Sequence, residues 1–195
     1  VTGLTKGIEF LCKKNKIDWI KGSARFAGQG RIDIAAGDAL EAKEIILATG
    51  SSPRSVPGIT IDHKRIITSD EAIHLKEVPK SLVIMGSGAV GVEFASIYRR
   101  FGSEVTIVEL LPRLVPVEDE AISAELEKSF RKQGIKSLTG TKVTSAKVTS
   151  TGVDLEVTTP DGKTQKLSAE ILLVATGGGP VTTDLGAEEL GIEMD

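Results

Sequence analysis

An α/β fold with a parallel sheet is the architecture this sequence predicts, and three observations predict it. Short apolar runs, SLVIM at 81–85, EVTIVE at 104–109 and EILLVA at 170–175, read as buried strands. Two amphipathic patterns, 88–101 and 118–133, read as helices lying between them, and each stops at a glycine, Gly102 and Gly134. Glycine is enriched, 21 of 195 residues, about 11% against a usual ~7%.

The elements follow in order. Residues 4–16 place Leu4, Ile8, Leu11 and Cys12 at helical spacing and end in lysines that suit the negative end of a helix dipole. Residues 17–35 alternate and are broken by Gly22, Gly28 and Gly30, which predicts short strands in a meander. KEIILA at 43–48 reads as a compact strand running into Thr49-Gly50-Ser51-Ser52-Pro53. Residues 51–67, with Pro53 and Pro57, read as an irregular connection and a candidate linker. Thr68 and Glu71 stand at capping-box spacing and open a short helix. After the second long helix come short β segments near 135–139, 142–149, 152–159 and 163–168, with a turn at Pro160-Asp161-Gly162.

Composition excludes several function classes. A net charge of -3 argues against a nucleic-acid or membrane-surface protein, and 4% aromatic residues argue against a base-stacking platform. No apolar run approaches the roughly 18–20 residues of a membrane helix. Cys12 is the single cysteine, so there is no internal disulfide, and with only His63 and His74 no His- or Cys-rich metal site is expected. Val1 at the start and the abrupt end at Asp195 read as a fragment of a longer chain.

The sharpest motif is Gly86-Ser87-Gly88-Ala89-Val90-Gly91, a GxGxxG between a predicted strand and a predicted helix. Its first glycine permits a tight turn, its second lets backbone approach a pyrophosphate, and its third lets the helix pack on the strand. The pyrophosphate would sit on the helix N-terminus. Glu109, 23 residues after Gly86, ends the next strand, near the expected ~20. A carboxylate there accepts from ribose hydroxyls and repels a 2′-phosphate; two unit charges 4 Å apart cost about 4 kcal/mol at an effective dielectric of 20. These residues predict a Rossmann-like sheet that prefers NAD(H) to NADP(H). Arg113, nearby in sequence, would weaken that preference.

Taken with LTKGIEFLCKKNKIDWIKGSARFAG, IILATGSSPRSVPGI, VIMGSGAVGVEFASIYRRFG, VTIVELLPRLVP and ILLVATGGGP, in that order, the chain resembles the flavin-dependent pyridine nucleotide-disulfide oxidoreductases over essentially its whole length. Within them it looks most like the dihydrolipoamide dehydrogenase branch. The resemblance implies an FAD/NAD(P)-binding fold with an inserted β-meander and partial flanking FAD-domain segments. Residues 1–51 would be the end of the first FAD-domain segment, 52–178 the NAD-binding domain and 179–195 the start of the return to the FAD domain. It implies NAD contacts at Gly86, Ser87, Gly88, Ala89, Val90, Gly91, Glu93, Glu109, Val143 and Gly177. It implies FAD contacts near Ala24 and at Thr49, Gly50 and Ser51. From spacing alone Glu93 is a solvated helix carboxylate; the resemblance makes it face the nicotinamide end. Gly178 stands where many relatives have an arginine.

The activity implied for the longer parent is oxidation of dihydrolipoamide by NAD through a disulfide and FAD. The parent would be a homodimer within a 2-oxoacid dehydrogenase complex, cytoplasmic, or in the mitochondrial matrix if eukaryotic. The redox cysteine pair and the His base of that family match nothing in this sequence, so no catalytic residue and no metal ligand is expected in the chain by itself. Mercuric reductase, soluble transhydrogenase and NADH oxidase share such a segment, and a non-catalytic NAD-binding module is the reading from outside the enzymes.

Overall fold

A run such as SLVIM, apolar after its first residue, suits a strand covered on both faces, and that is where it lies. The computed structural model describes residues 2–35, 37 and 39–193. In chain order it contains α1 (Thr2–Lys14), β1 (Ala24–Gly28), β2 (Arg31–Ile34), β3 (Ala39–Glu41), β4 (Ser51–Pro53), β5 (Ile66–Ile67), α2 (Ser69–Ala72), β6 (Ser81–Met85), α3 (Ala89–Arg100), β7 (Glu104–Val108), α4 (Glu120–Gln133), β8 (Lys136–Leu138), β9 (Lys142–Val148), β10 (Val153–Thr158), β11 (Thr164–Ala169), β12 (Ile171–Val174) and β13 (Gly178–Pro180). The chain divides into two units, one drawn from residues 1–50 and 181–195, the other Ser51–Pro180.

The second unit is built on a parallel five-stranded sheet, ordered β5-β12-β6-β7-β8. Alternate residues of each strand face opposite sides. Leu82, Ile84, Val105, Ile107 and Leu173 point to the helical side, where Phe94, Ala95 and Tyr98 of α3 and Phe130 of α4 cover them. Val83, Met85, Val108, Leu172 and Val174 point the other way, into Val143, Val153, Leu155 and Val157. Those four come from the antiparallel sheet β11-β10-β9. Each such fully buried aliphatic side chain contributes about 1.5–3 kcal/mol. Tyr98 stacks near Phe94 and donates its hydroxyl to Ala72 O at 2.6 Å, so the buried phenol is satisfied.

Local signals end the helices. The Thr68 hydroxyl accepts from the Asp70 amide, while the Glu71 carboxylate accepts from the Thr68 amide, a complete capping box. Asp119 caps α4 through the Ala121 amide, and Gly134 closes it at φ +76°. The first unit holds α1, which buries none of its residues, and the antiparallel β1-β2-β3 sheet.

Two expectations need correction. Residues 43–48 form no strand; Ile46 is 90% exposed, and no described strand takes up that segment's backbone hydrogen bonds. An apolar run becomes a strand only where a neighbour completes its ladder. Residues 51–67 are not wholly irregular. Ser51–Pro53 pairs with Gly178–Pro180, and Ile66–Ile67 forms an edge of the parallel sheet. No described helix is long and apolar enough to cross a membrane.

Candidate functional site

The chain leaves β6 at Met85 and turns through Gly86 at φ +105°, where Gly86 N–H donates to Val108 O at 2.9 Å. A Cβ on Gly86 would collide with the Ala175 carbonyl, and one on Gly91 with the Gly86 carbonyl. Both glycines are therefore fixed by backbone packing. Gly88 differs: it caps α3 with an ordinary backbone, and a Cβ there would meet nothing within 4 Å. No side chain caps α3. Gly88, Ala89 and Val90 are exposed, so the positive end of a twelve-residue helix opens onto free space. That is the geometry a pyrophosphate needs, and the residues present fit one.

Ser87, between these glycines, is fully buried. Its amide and hydroxyl both donate to Glu109 Oε2, at 2.7 and 2.8 Å. Its carbonyl accepts from Val115 N at 3.0 Å. Glu109 is 7% exposed, and its Oε1 accepts from Leu111 N at 2.8 Å. Val115 holds its place at φ +40°, a costly backbone for a β-branched residue. Arg113 turns into its own loop: Nη2 donates to Pro116 O at 3.2 Å, and its buried Nε has no partner. Among the described residues it makes no ion pair with Glu109.

The remaining expected site residues fall as follows. Glu93 is exposed on α3. Val143 is buried in the core between the two sheets. Gly177 stands at φ +100° with free space beside it, and its carbonyl accepts from Arg54 N. In the first unit, Ala24 begins β1 opposite Ile34; Thr49 Oγ1 donates to Val181 O at 2.6 Å; and Gly50, at φ +81° with nothing near its Cα hydrogens, accepts from Val181 N. Ser51 lies in the second unit, paired with Pro180.

A cleft of about 200 Å³ brings Val90, at the start of α3, together with Ser69, Asp70, Val174, Gly177 and Gly178. Ser69, Asp70 and Val174 had no sign of a site in the sequence. Ser69 and Asp70 read only as the first turn of α2, and the topology alone carries them to the carboxyl ends of the strands. Open α/β sheets bind ligands at those ends.

Close by, Glu71 sits under three donors: Thr68 N, Thr68 Oγ1 and the His63 ring at 2.8 Å. Chiefly through the Thr68 amide, against the opposing effect of burial, and then through His63 and the Thr68 hydroxyl, its pKa falls to about 2. Asp62 is held low as well: burial works against it, but the amides of Lys64, Ile66 and Arg65 outweigh that.

The sequence model of one family, described as pyridine nucleotide-disulphide oxidoreductase, matches residues 1–195. Dihydrolipoyl dehydrogenase 3 of Pseudomonas putida is 46% identical over 200 residues, covering all of this chain and 43% of that protein. The mitochondrial dihydrolipoyl dehydrogenase of Schizosaccharomyces pombe is 43% identical over 201 residues, again covering all of this chain and 39% of that protein. The chain thus spans less than half the length of these relatives. Among solved structures, LpdA from Mycobacterium tuberculosis superposes with a TM-score of 0.83 at 29% identity, covering all of this chain and 44% of that one. The flavoprotein disulfide reductase RclA from Escherichia coli gives 0.79 at 28% identity, over 98% of this chain and 45% of that one.

Proposed function

The chain belongs to the pyridine nucleotide-disulphide oxidoreductases, and from that premise we propose that it is the NAD(H)-binding portion of a dihydrolipoamide dehydrogenase. The observation that carries the reading is the glycine turn itself. Gly88 opens onto free space at an uncapped helix N-terminus, while Glu109 is held at the end of the adjacent strand. Gly86, Gly88 and Gly91 shape the turn, and the amides of Ala89 and Val90 receive the pyrophosphate. Glu109 takes the adenine ribose and disfavours a 2′-phosphate. Glu93, the Val143 backbone and Gly177 line the rest of the path. Bound NAD supplies the hydride acceptor; the protein orients it.

Residues 1–51 belong to an FAD domain, 52–178 to the NAD domain and 179–195 to the return. The division of the structure after Gly50 and again after Pro180 supports this reading. Thr49, Gly50, Ser51 and the backbone near Ala24 take part in holding FAD. The longer parent is a cytoplasmic homodimer, or a matrix one in a eukaryote, serving a 2-oxoacid dehydrogenase complex.

Calorimetric titration with NADH and, separately, NADPH tests the reading. NADH binding at least tenfold tighter than NADPH is expected. Equal or tighter NADPH binding would overturn the assignment of Glu109 and move the chain toward the NADPH-dependent reductases.

A further inference from the structure

Resting on the NAD(H) reading, we propose that Ser87 is a positioning residue for cofactor selection, acting through Glu109 rather than on the cofactor. Gly88, Ala89 and Val90, which follow it, are exposed, yet Ser87 is fully buried, and every polar group it has is used inside the protein. The amide that would otherwise be free for a phosphate donates to Glu109 Oε2, and so does the hydroxyl. A carboxylate offers about four lone-pair sites. Ser87 fills two on Oε2 and Leu111 N fills one on Oε1. One site remains, and it is on Oε1.

The turn thus fixes which oxygen of Glu109 is available and leaves it room for one sugar hydroxyl. The Ser87 carbonyl is held from the far side by the amide of Val115, whose φ of +40° is unfavourable for valine. Ser87 is clamped between the glycine turn and the loop after β7. A hydroxyl at position 87 is not required by the turn geometry, which Gly86 supplies with its φ of +105°. The hydroxyl has one partner, the carboxylate.

Ser87→Ala removes that donor, leaves the backbone alone and creates no clash. Titrations of the full-length protein with NADH and NADPH, made on the parent protein, Ser87→Ala, Glu109→Ala and the double variant, test the proposal as a cycle. In Ser87→Ala the preference for NADH over NADPH is expected to fall about three- to tenfold, the size of the net contribution of one ordinary hydrogen bond. In the Glu109→Ala background the same change should leave the preference as it was. In steady-state assays with NAD, KM should rise in Ser87→Ala while kcat holds, a split that a general loosening of the fold would not give. If Ser87→Ala weakens NADH and NADPH by one common factor, Ser87 is only a loop residue and the proposal is wrong. An equal loss of preference with and without Glu109 overturns it too, because Ser87 would then act directly. If the parent protein binds neither dinucleotide, the underlying NAD(H) reading fails, and that outcome is distinct from the other two.

Discussion

The three glycines of one motif are not equally constrained: Gly86 needs both its φ of +105° and the space against the Ala175 carbonyl, Gly91 only the space against the Gly86 carbonyl, and Gly88 neither, so substitution separates them. Gly91→Ala pushes a methyl into the Gly86 carbonyl, a backbone atom that cannot step aside. A loss of about 1–3 kcal/mol is expected, as for other overpacked sites, and urea unfolding would measure it. Gly88→Ala meets nothing within 4 Å at an ordinary φ of -65°. Its stability should be unchanged or higher by about 0.4–1 kcal/mol, because alanine restricts the unfolded chain. NADH binding should nevertheless drop at least tenfold, since the methyl fills the space the pyrophosphate needs. A Gly88→Ala protein that is stable and binds NADH like the parent would remove the pyrophosphate from this position. Gly179 is a fourth case: a Cβ there would meet the guanidinium of Arg54, the movable end of a long side chain, in place of backbone.

At the scale of elements, the short helix α2 owes its start to one carboxylate. Glu71 accepts from the Thr68 amide and hydroxyl and from His63, and its pKa is about 2 in the folded chain against an ordinary 4.5. A depressed carboxylate stabilises the fold above its unfolded pKa, and that contribution is lost as protons reach the folded form. The stability from Glu71 is therefore complete above about pH 5 and fades as the pH falls from 4.5 toward 2. Glu71→Gln should cost roughly 1 kcal/mol at pH 7, the size of a capping interaction. It should also flatten the acid limb of a stability-versus-pH curve; an unaltered limb would show that other groups govern it. The capping box was legible in the sequence because all its parts lie within four consecutive residues. So were the strand, glycine turn, helix and acidic strand end of the site, because each is a local pattern and they follow one another without a break from Ser81 to Glu109. The pairs β4 with β13 and β5 with β12 were not legible. Each is two or three residues long with a partner more than a hundred positions away, and periodicity within either segment carries no trace of the other. Burial of Ser87 was hidden for a related reason. The sequence shows a small polar residue between glycines, and only the fold around Gly86 shows that its hydroxyl turns inward to Glu109.

For the whole molecule, apolar surface is distributed unevenly between the two units. In Ser51–Pro180 the sheet is covered on both faces. In the first unit, Leu4 is 78% exposed, Phe10 63% and Ile46 90%, while Ile8, Leu11 and Ile17 are each more than half exposed. Leu4, Ile8 and Leu11 recur on one stripe of α1, the stripe whose spacing predicted an amphipathic helix. The amphipathic reading was right about the pattern, but the described chain contains nothing that buries it. Apolar side chains clustered this way favour association. The 195-residue chain should therefore self-associate at micromolar concentration, and a protein limited to Ser51–Pro180 should stay monomeric. Sedimentation velocity on the two, at matched concentrations, makes the comparison. Replacing Leu4, Ile8 and Leu11 together by Lys should carry the longer chain toward the monomer, because those side chains are more than half exposed and belong to neither buried core cluster. If the longer chain is already monomeric, or if the triple substitution leaves its association unchanged, the exposed stripe of α1 is not what drives the molecules together.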